Sequence, residues 1–132
     1  MTAPLLLAAV MALGSPAAAD FELPDYRGSH HTQAAEQFLT CVALRESSGR
    51  WRADGPYGSG AFQFIQSSWN TYARKAGYPE WVGVRPYKAP AYVQTEIAYV
   101  AVNPYPKQRG LEGRHHWSPR HALTIGKRIE AC

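Results

Sequence analysis

Two cysteines, Cys41 and Cys132, constrain this chain more than any other feature, because the second is the last of its 132 residues. A bond between them would tie an early helix to the chain end and close most of the domain into one loop. In the chain-entropy description, a loop of about 100 residues adds roughly 4 to 5 kcal/mol of stability. Pairing requires an oxidising compartment. Residues Pro4 to Ala19 point to one: they form a nearly unbroken apolar run ending in Ser15-Pro16-Ala17-Ala18-Ala19 ahead of Asp20, the pattern of an export signal with a small-residue cleavage site. Residues 1–19 are therefore expected to be a signal peptide cut after Ala19, and the mature chain to be secreted, extracellular or in the cell wall. The run is shorter than the ~20 apolar residues that cross a bilayer, so no stable membrane insertion is expected. Two unpaired buried cysteines are the alternative to the disulfide.

What remains has the length of one domain. Residues 20–31 are polar, contain Pro24 and Gly28 and lack periodicity, which predicts a leader or linker without catalytic groups. The folded domain is expected over residues 32–132. A first helix should start with Thr32 as N-cap; its apolar positions Ala35, Leu39 and Val42 recur at spacings of four and three, with Phe38 and Cys41 widening the stripe. The next step of four lands on Glu46, on the inward face of the last turn before Gly49. A Gly-rich stretch follows, from Arg50 to Gly60, readable as a short hairpin or an irregular loop that can approach a ligand closely. Ser67 or Ser68 should cap a second helix with Trp69, Tyr72, Ala73 and Ala76 on one face, ended by Gly77. Beyond a long loop to Lys88, Pro90 should open a third helix that closes at Asn103-Pro104, and Ser118-Pro119 a last one running toward Cys132. The expectation is a small single domain, mainly α, with a helical core and a loop-rich or short-hairpin lobe lining a groove.

Glu46 is the carboxylate best suited to acid catalysis, since apolar neighbours and a helix C-terminus both disfavour its charged form. A carboxylic acid kept protonated can donate to a glycosidic oxygen, the first step of glycoside cleavage. The competing reading is a Glu that only pairs with Arg45, Arg50 or Arg52.

The run Arg45-Glu46-Ser47-Ser48-Gly49-Arg50-Trp51, followed by Gly60-Ala61-Phe62-Gln63-Phe64, resembles the paired signature of lytic transglycosylases and resuscitation-promoting factors. In those families a catalytic Glu precedes small residues and a Gly-x-x-Gln stretch lines the groove. A cysteine ahead of the Glu, another at the chain end and Trp117-Ser118-Pro119 extend the resemblance, which covers residues from about Phe38 to Cys132 with unmatched middle loops. Two features depart from the pattern: Cys41 stands several residues ahead of Glu46 rather than beside it, and Ala61-Phe62 replaces the usual Leu-Met pair. The resemblance implies a lysozyme-like α+β fold and cleavage of the MurNAc-GlcNAc β-1,4 bond of peptidoglycan. It makes Glu46 acid and then base, Gln63 a hydrogen-bond partner of the sugar or its acetamido group, and Ser47 a support of the acid's geometry. Phe62 and Phe64 would floor the groove or fill the core, and Tyr57 and Trp117 would stack on sugar rings or pack inside.

Asp54 is the carboxylate nearest in sequence that could act as a second acid or base, but the resemblance implies a single-acid mechanism, in which the substrate's own hydroxyl closes an anhydro-sugar end. His115, His116 and His121 could be drawn as a zinc cluster; neighbouring histidines point apart, so no metal is expected, and no other cofactor. No Ser is set in a nucleophile-elbow pattern. The formal net charge of +4 suits an anionic wall polymer. Lys and Arg are scattered rather than gathered into a stripe, so nucleic acid is not an expected partner. The expected partners are peptidoglycan glycan strands, with a second cell-wall hydrolase as a candidate, and the chain is expected to be a monomer. Rival readings are a water-using muramidase and a non-catalytic wall-binding or signalling module.

Overall fold

The computed structural model describes residues 21–117 together with Cys132. The expected signal peptide, the helix opened by Ser118-Pro119 and His121 lie outside the described residues. Three α-helices form the frame: α1 (Gln33–Ser47), α2 (Gln66–Lys75) and α3 (Ala91–Val102), with three short 3-10 turns at Pro79–Trp81, Pro86–Lys88 and Arg114–Trp117. The domain is mainly helical, and among the described residues β-pairing is limited to isolated bridges.

Helix α1 starts where its sequence says it should. The Thr32 side chain accepts a hydrogen bond from the Ala35 amide at 2.9 Å, satisfying one of the free donors of the first turn. Ala35, Phe38, Leu39, Val42 and Ala43 then face the core at the 3.6-residue period. The stop falls where expected, with Gly49 at φ 76° just past the C-cap; Ser48, the cap itself, is also left-handed at φ 57°. The Gly49 amide bonds Ala43 O at 3.1 Å and the Ser48 amide bonds Leu44 O at 3.0 Å, which satisfies the last carbonyls of the helix.

Helix α2 corrects one expectation. It begins at Gln66 with Ile65 in the cap position and no side-chain cap, so Ser67 and Ser68 belong to the first turn instead of preceding it. The extended Ile65 is already committed, because its carbonyl accepts from Trp69 and Phe64 next to it is bridged to Ser59. Trp69 and Ala73 are the buried residues of this helix, with Tyr72 and Ala76 packed at the margin, and Gly77 at φ 86° terminates it.

Helix α3 is buried nearly all round, as a helix with apolar residues on every side must be: nine of its twelve residues are enclosed. Pro90 is its N-cap rather than its first residue, and Asn103 ends it. The sequence left 20–31 as a linker, but Phe21, Leu23 and Tyr26 pack on the core. Tyr26 stacks on Tyr99 of α3 at 4.7 Å, and Phe21 on Trp51 at 5.6 Å. These apolar residues are too unevenly spaced to show a helical or strand period, so only the packing reveals their role.

Two buried amides join the loops to α3. Gln94 is 1 % exposed; its Oε1 accepts from the Ala61 amide at 2.9 Å, and its Nε2 donates to Trp51 O at 3.0 Å and to Ala89 O at 2.9 Å. Gly60 lies against this amide: a Cβ there would come within 2.5 Å of Gln94 Oε1, and its φ of 80° disfavours any side chain. Asn103 donates to His30 O at 3.0 Å and accepts from the Leu111 amide at 2.9 Å, tying the N-terminal segment to the 105–113 loop. Replacing Gln94 by Leu strands one buried donor and two buried acceptors, each worth about 1 to 3 kcal/mol. Urea unfolding of Gln94→Leu is therefore expected to show a loss of at least about 3 kcal/mol.

Candidate active site

By spacing Glu46 shares the side of α1 that carries Ala35, Leu39 and Val42, but unlike them it is not buried. Its side chain is 29 % exposed, and Oε2 lies 3.3 Å from Arg45 Nε. The side chain is therefore only partly inward, and it makes the Arg45 contact that the competing reading of the sequence expected. Arg45 itself is anchored: its Nη2 donates to Trp117 O at 3.0 Å. The Arg45 anchor, unlike the adjacency of Arg45 and Glu46, depends on where the 114–117 turn comes to rest.

Ser47 is buried and tightly engaged. Its single O–H lies between Ala61 O at 2.8 Å and Ala43 O at 3.0 Å, the shorter contact being to Ala61, and its Oγ accepts from the Arg50 amide at 3.0 Å. The hydroxyl thus locks the turn that carries Glu46 to the strand-like stretch that carries Gln63, and offers nothing to a ligand. That stretch is a compact bridged loop. Ser59 pairs with Asp54 on one side and with Phe64 on the other, and its Oγ accepts from the Tyr87 amide at 2.9 Å. Gly58 leaves no room for a side chain, because a Cβ would strike the Gln63 carbonyl.

Gln63 adopts φ 51°, a left-handed conformation uncommon for a residue with a side chain. Its Nε2 donates to Gly60 O at 2.9 Å and reaches Ala53 O at 3.4 Å. The amide is held inside the loop by its nitrogen, and its Oε1 faces Gly55, whose Cβ would stand 2.9 Å away.

The aromatic residues divide sharply. Phe62 and Phe64 are core, at 0 % and 3 % exposure. Trp117 is also core at 6 %: it packs against Phe38 and Phe64, and its indole donates to Phe62 O at 2.8 Å. A sugar-stacking role for Trp117 is therefore set aside, since its faces are used and its N–H is satisfied. Tyr57 is the opposite, 82 % exposed at the tip of the loop. Asp54 is paired with Arg85, through Oδ1 to Nη2 at 2.5 Å and Nε at 3.1 Å, which joins the loop to the turn before Pro86.

Arg50 and Arg52 flank Trp51 in an open depression of about 540 Å³ lined by Gly49, Arg50, Trp51, Arg52 and Ala53. His115 and His116 do not point apart as expected: their rings lie 4.2 Å from each other at a 36° tilt, and His116 Nε2 meets the Tyr72 hydroxyl at 2.8 Å. Among the described residues no group of three metal-ligating side chains converges, and no helix is long and apolar enough to cross a membrane.

Burial, aided by the neighbouring His115, lowers the His116 pKa below its ordinary 6.5. The unfolded chain therefore takes up that proton first as pH falls, so the contribution of neutral His116 is complete above about pH 6.5 and is lost progressively below it. Burial raises the Glu96 pKa, and its contribution runs the other way, present at low pH and lost as pH rises past its folded value. Because Glu96 is common to both proteins, the test is the difference between them: acidification from about pH 7.5 to 5 is expected to shift the urea midpoint of the parent downward relative to that of His116→Asn.

Comparison of the chain with family models, curated proteins and solved structures finds no match.

Proposed function

We propose that this protein is a peptidoglycan-cleaving enzyme of lytic transglycosylase type, with Glu46 as its acid and base. The observation that carries the reading is the lock between the Glu46 turn and the Gln63 loop through Ser47 Oγ, whose bond to Ala61 O measures 2.8 Å. It makes one rigid unit of the two halves of the sequence motif, with the acid emerging at a partly open rim. The resemblance of Arg45 to Trp51 and Gly60 to Phe64 to the transglycosylase signature supplies the substrate class.

In the proposed reaction, protonated Glu46 gives its proton to the oxygen between N-acetylmuramic acid and N-acetylglucosamine as the C1–O bond breaks. Positive charge developing at C1 is relieved by the neighbouring acetamido oxygen. The resulting Glu46 carboxylate then takes the proton from the C6 hydroxyl while O6 bonds C1, which closes a 1,6-anhydro ring and returns the acid to its starting state. The resemblance gives Gln63 the contact to the acetamido group, in which Oε1 would accept the N–H once it turns from Gly55 while Nε2 keeps its bond to Gly60 O. Asp54 is committed to Arg85, which supports a mechanism with one acid. No cofactor enters this scheme.

The test is mass spectrometry of fragments released from purified peptidoglycan. Anhydro-ended muropeptides are the expected product. Reducing ends would replace the transglycosylase by a water-using muramidase, and no release by a folded protein would favour a wall-binding module.

A further inference from the structure

Arg50 and Arg52 are exposed on either side of Trp51, four and six residues beyond the proposed acid. Neither forms an ion pair among the described residues, where the acidic partners Asp25, Glu36, Glu46 and Asp54 go to Arg27, His31, Arg45 and Arg85. Arg50 is nonetheless held in place: its Nε donates to Ser47 O at 2.9 Å, which fixes the stem and leaves the two terminal amino groups for a ligand. Trp51 is fixed as well, stacked on Phe21 at 5.6 Å and edge-on to Phe62 at 5.8 Å. All three residues line the open depression of about 540 Å³.

Two guanidinium groups with no ion-pair partner among the described residues, set around a fixed indole, are complementary to a carboxylate carried on a short, partly apolar stem. Resting on the peptidoglycan reading, we infer that this depression is a subsite for a carboxylate of the stem peptide borne by the muramic acid that Glu46 attacks. The muramyl unit is the sugar that must lie at the acid, and its peptide leaves the glycan at that unit, so an acidic branch arrives next to residues 49–53. The enzyme would then cut peptide-bearing strands in preference to bare ones, and Phe21, by supporting Trp51, would be part of the subsite's frame.

The experiment compares fragment release from intact peptidoglycan with release from the same material after an amidase has removed its stem peptides. The parent protein is expected to cut intact strands about tenfold faster, the effect of roughly one charge-assisted contact. In Arg50→Gln/Arg52→Gln the ratio of the two rates is expected to collapse to about one. An unchanged ratio in the variant, or a parent that cuts both substrates equally, overturns the inference while leaving the enzyme reading standing. Should the parent cut neither, the enzyme reading fails, and the subsite is judged by titrating muramyl dipeptide and its fully amidated form while following the amide resonances of residues 49–53. Saturable shifts with the acid alone, absent in the variant, support the subsite; shifts with neither, or equally with both, overturn it. If losing the Arg50–Ser47 contact unfolds the double variant, Arg52→Gln alone carries the same comparisons.

Discussion

Glu46→Gln is expected to lower fragment release by about 10² to 10⁴-fold, the range that a positioned general acid contributes. Glutamine keeps the size and polarity of the side chain and can still accept from Arg45 Nε, but it has no proton to give to a leaving oxygen and no charge with which to take one back. The Arg45 pair is partly solvated, so its loss removes little stability. The thermal midpoint should therefore stay close to that of the parent while activity disappears. Rates and melting curves measured on the same preparation separate the two effects. A variant that melts normally and still releases fragments at the parent rate would remove Glu46 from the chemistry and, with it, the reading built on this site.

The largest expected change in stability comes from the disulfide. Cys41 and Cys132 are bonded across a sequence separation of 91 residues, with their Cα atoms 5.6 Å apart. Freeing a loop of that size restores chain entropy to the unfolded state worth about 4 to 5 kcal/mol, a large share of what a domain this small possesses. Reduction, or Cys41→Ser with Cys132→Ser, is expected to lower the thermal midpoint by about 20 °C or more. The local consequence reaches the site. Cys41 precedes Arg45 by four residues, one helical turn, so the bond to Cys132 and the Arg45 bond to Trp117 O hold the C-terminal part of the chain to neighbouring positions of α1. Denaturant curves for the oxidised and reduced protein measure the first effect. Activity of the reduced but still folded fraction measures the second and is expected to be lower.

Several elements were legible in the sequence because the forces that make them are local. Thr32 caps α1 with its own hydroxyl, Gly77 ends α2 through a backbone conformation it adopts freely, and Asn103-Pro104 closes α3 because proline cannot continue a helix. Ser67 and Ser68 mark where local reasoning failed. Both can cap a helix, but the bridge between Ser59 and Phe64 sets the chain direction one or two residues earlier, so the helix is already under way when it reaches them.

The sequence by itself determined the helical content, the place of Glu46 at the end of a core-facing stripe, and the pairing of two cysteines. Each follows from spacing along one helix or from the chemistry of a single residue type. Only the tertiary structure decided that Gln94 is the hub under the Gly-rich loop, that Trp117 points inward, that Arg45 is anchored on the Trp117 carbonyl, and that Phe21, Leu23 and Tyr26 belong to the core. Their partners lie tens of residues away, and no periodicity encodes which distant carbonyl will meet a glutamine or which open face will receive a ring. That choice is made when the whole chain finds the arrangement in which buried polar groups are bonded and apolar surface is covered at once.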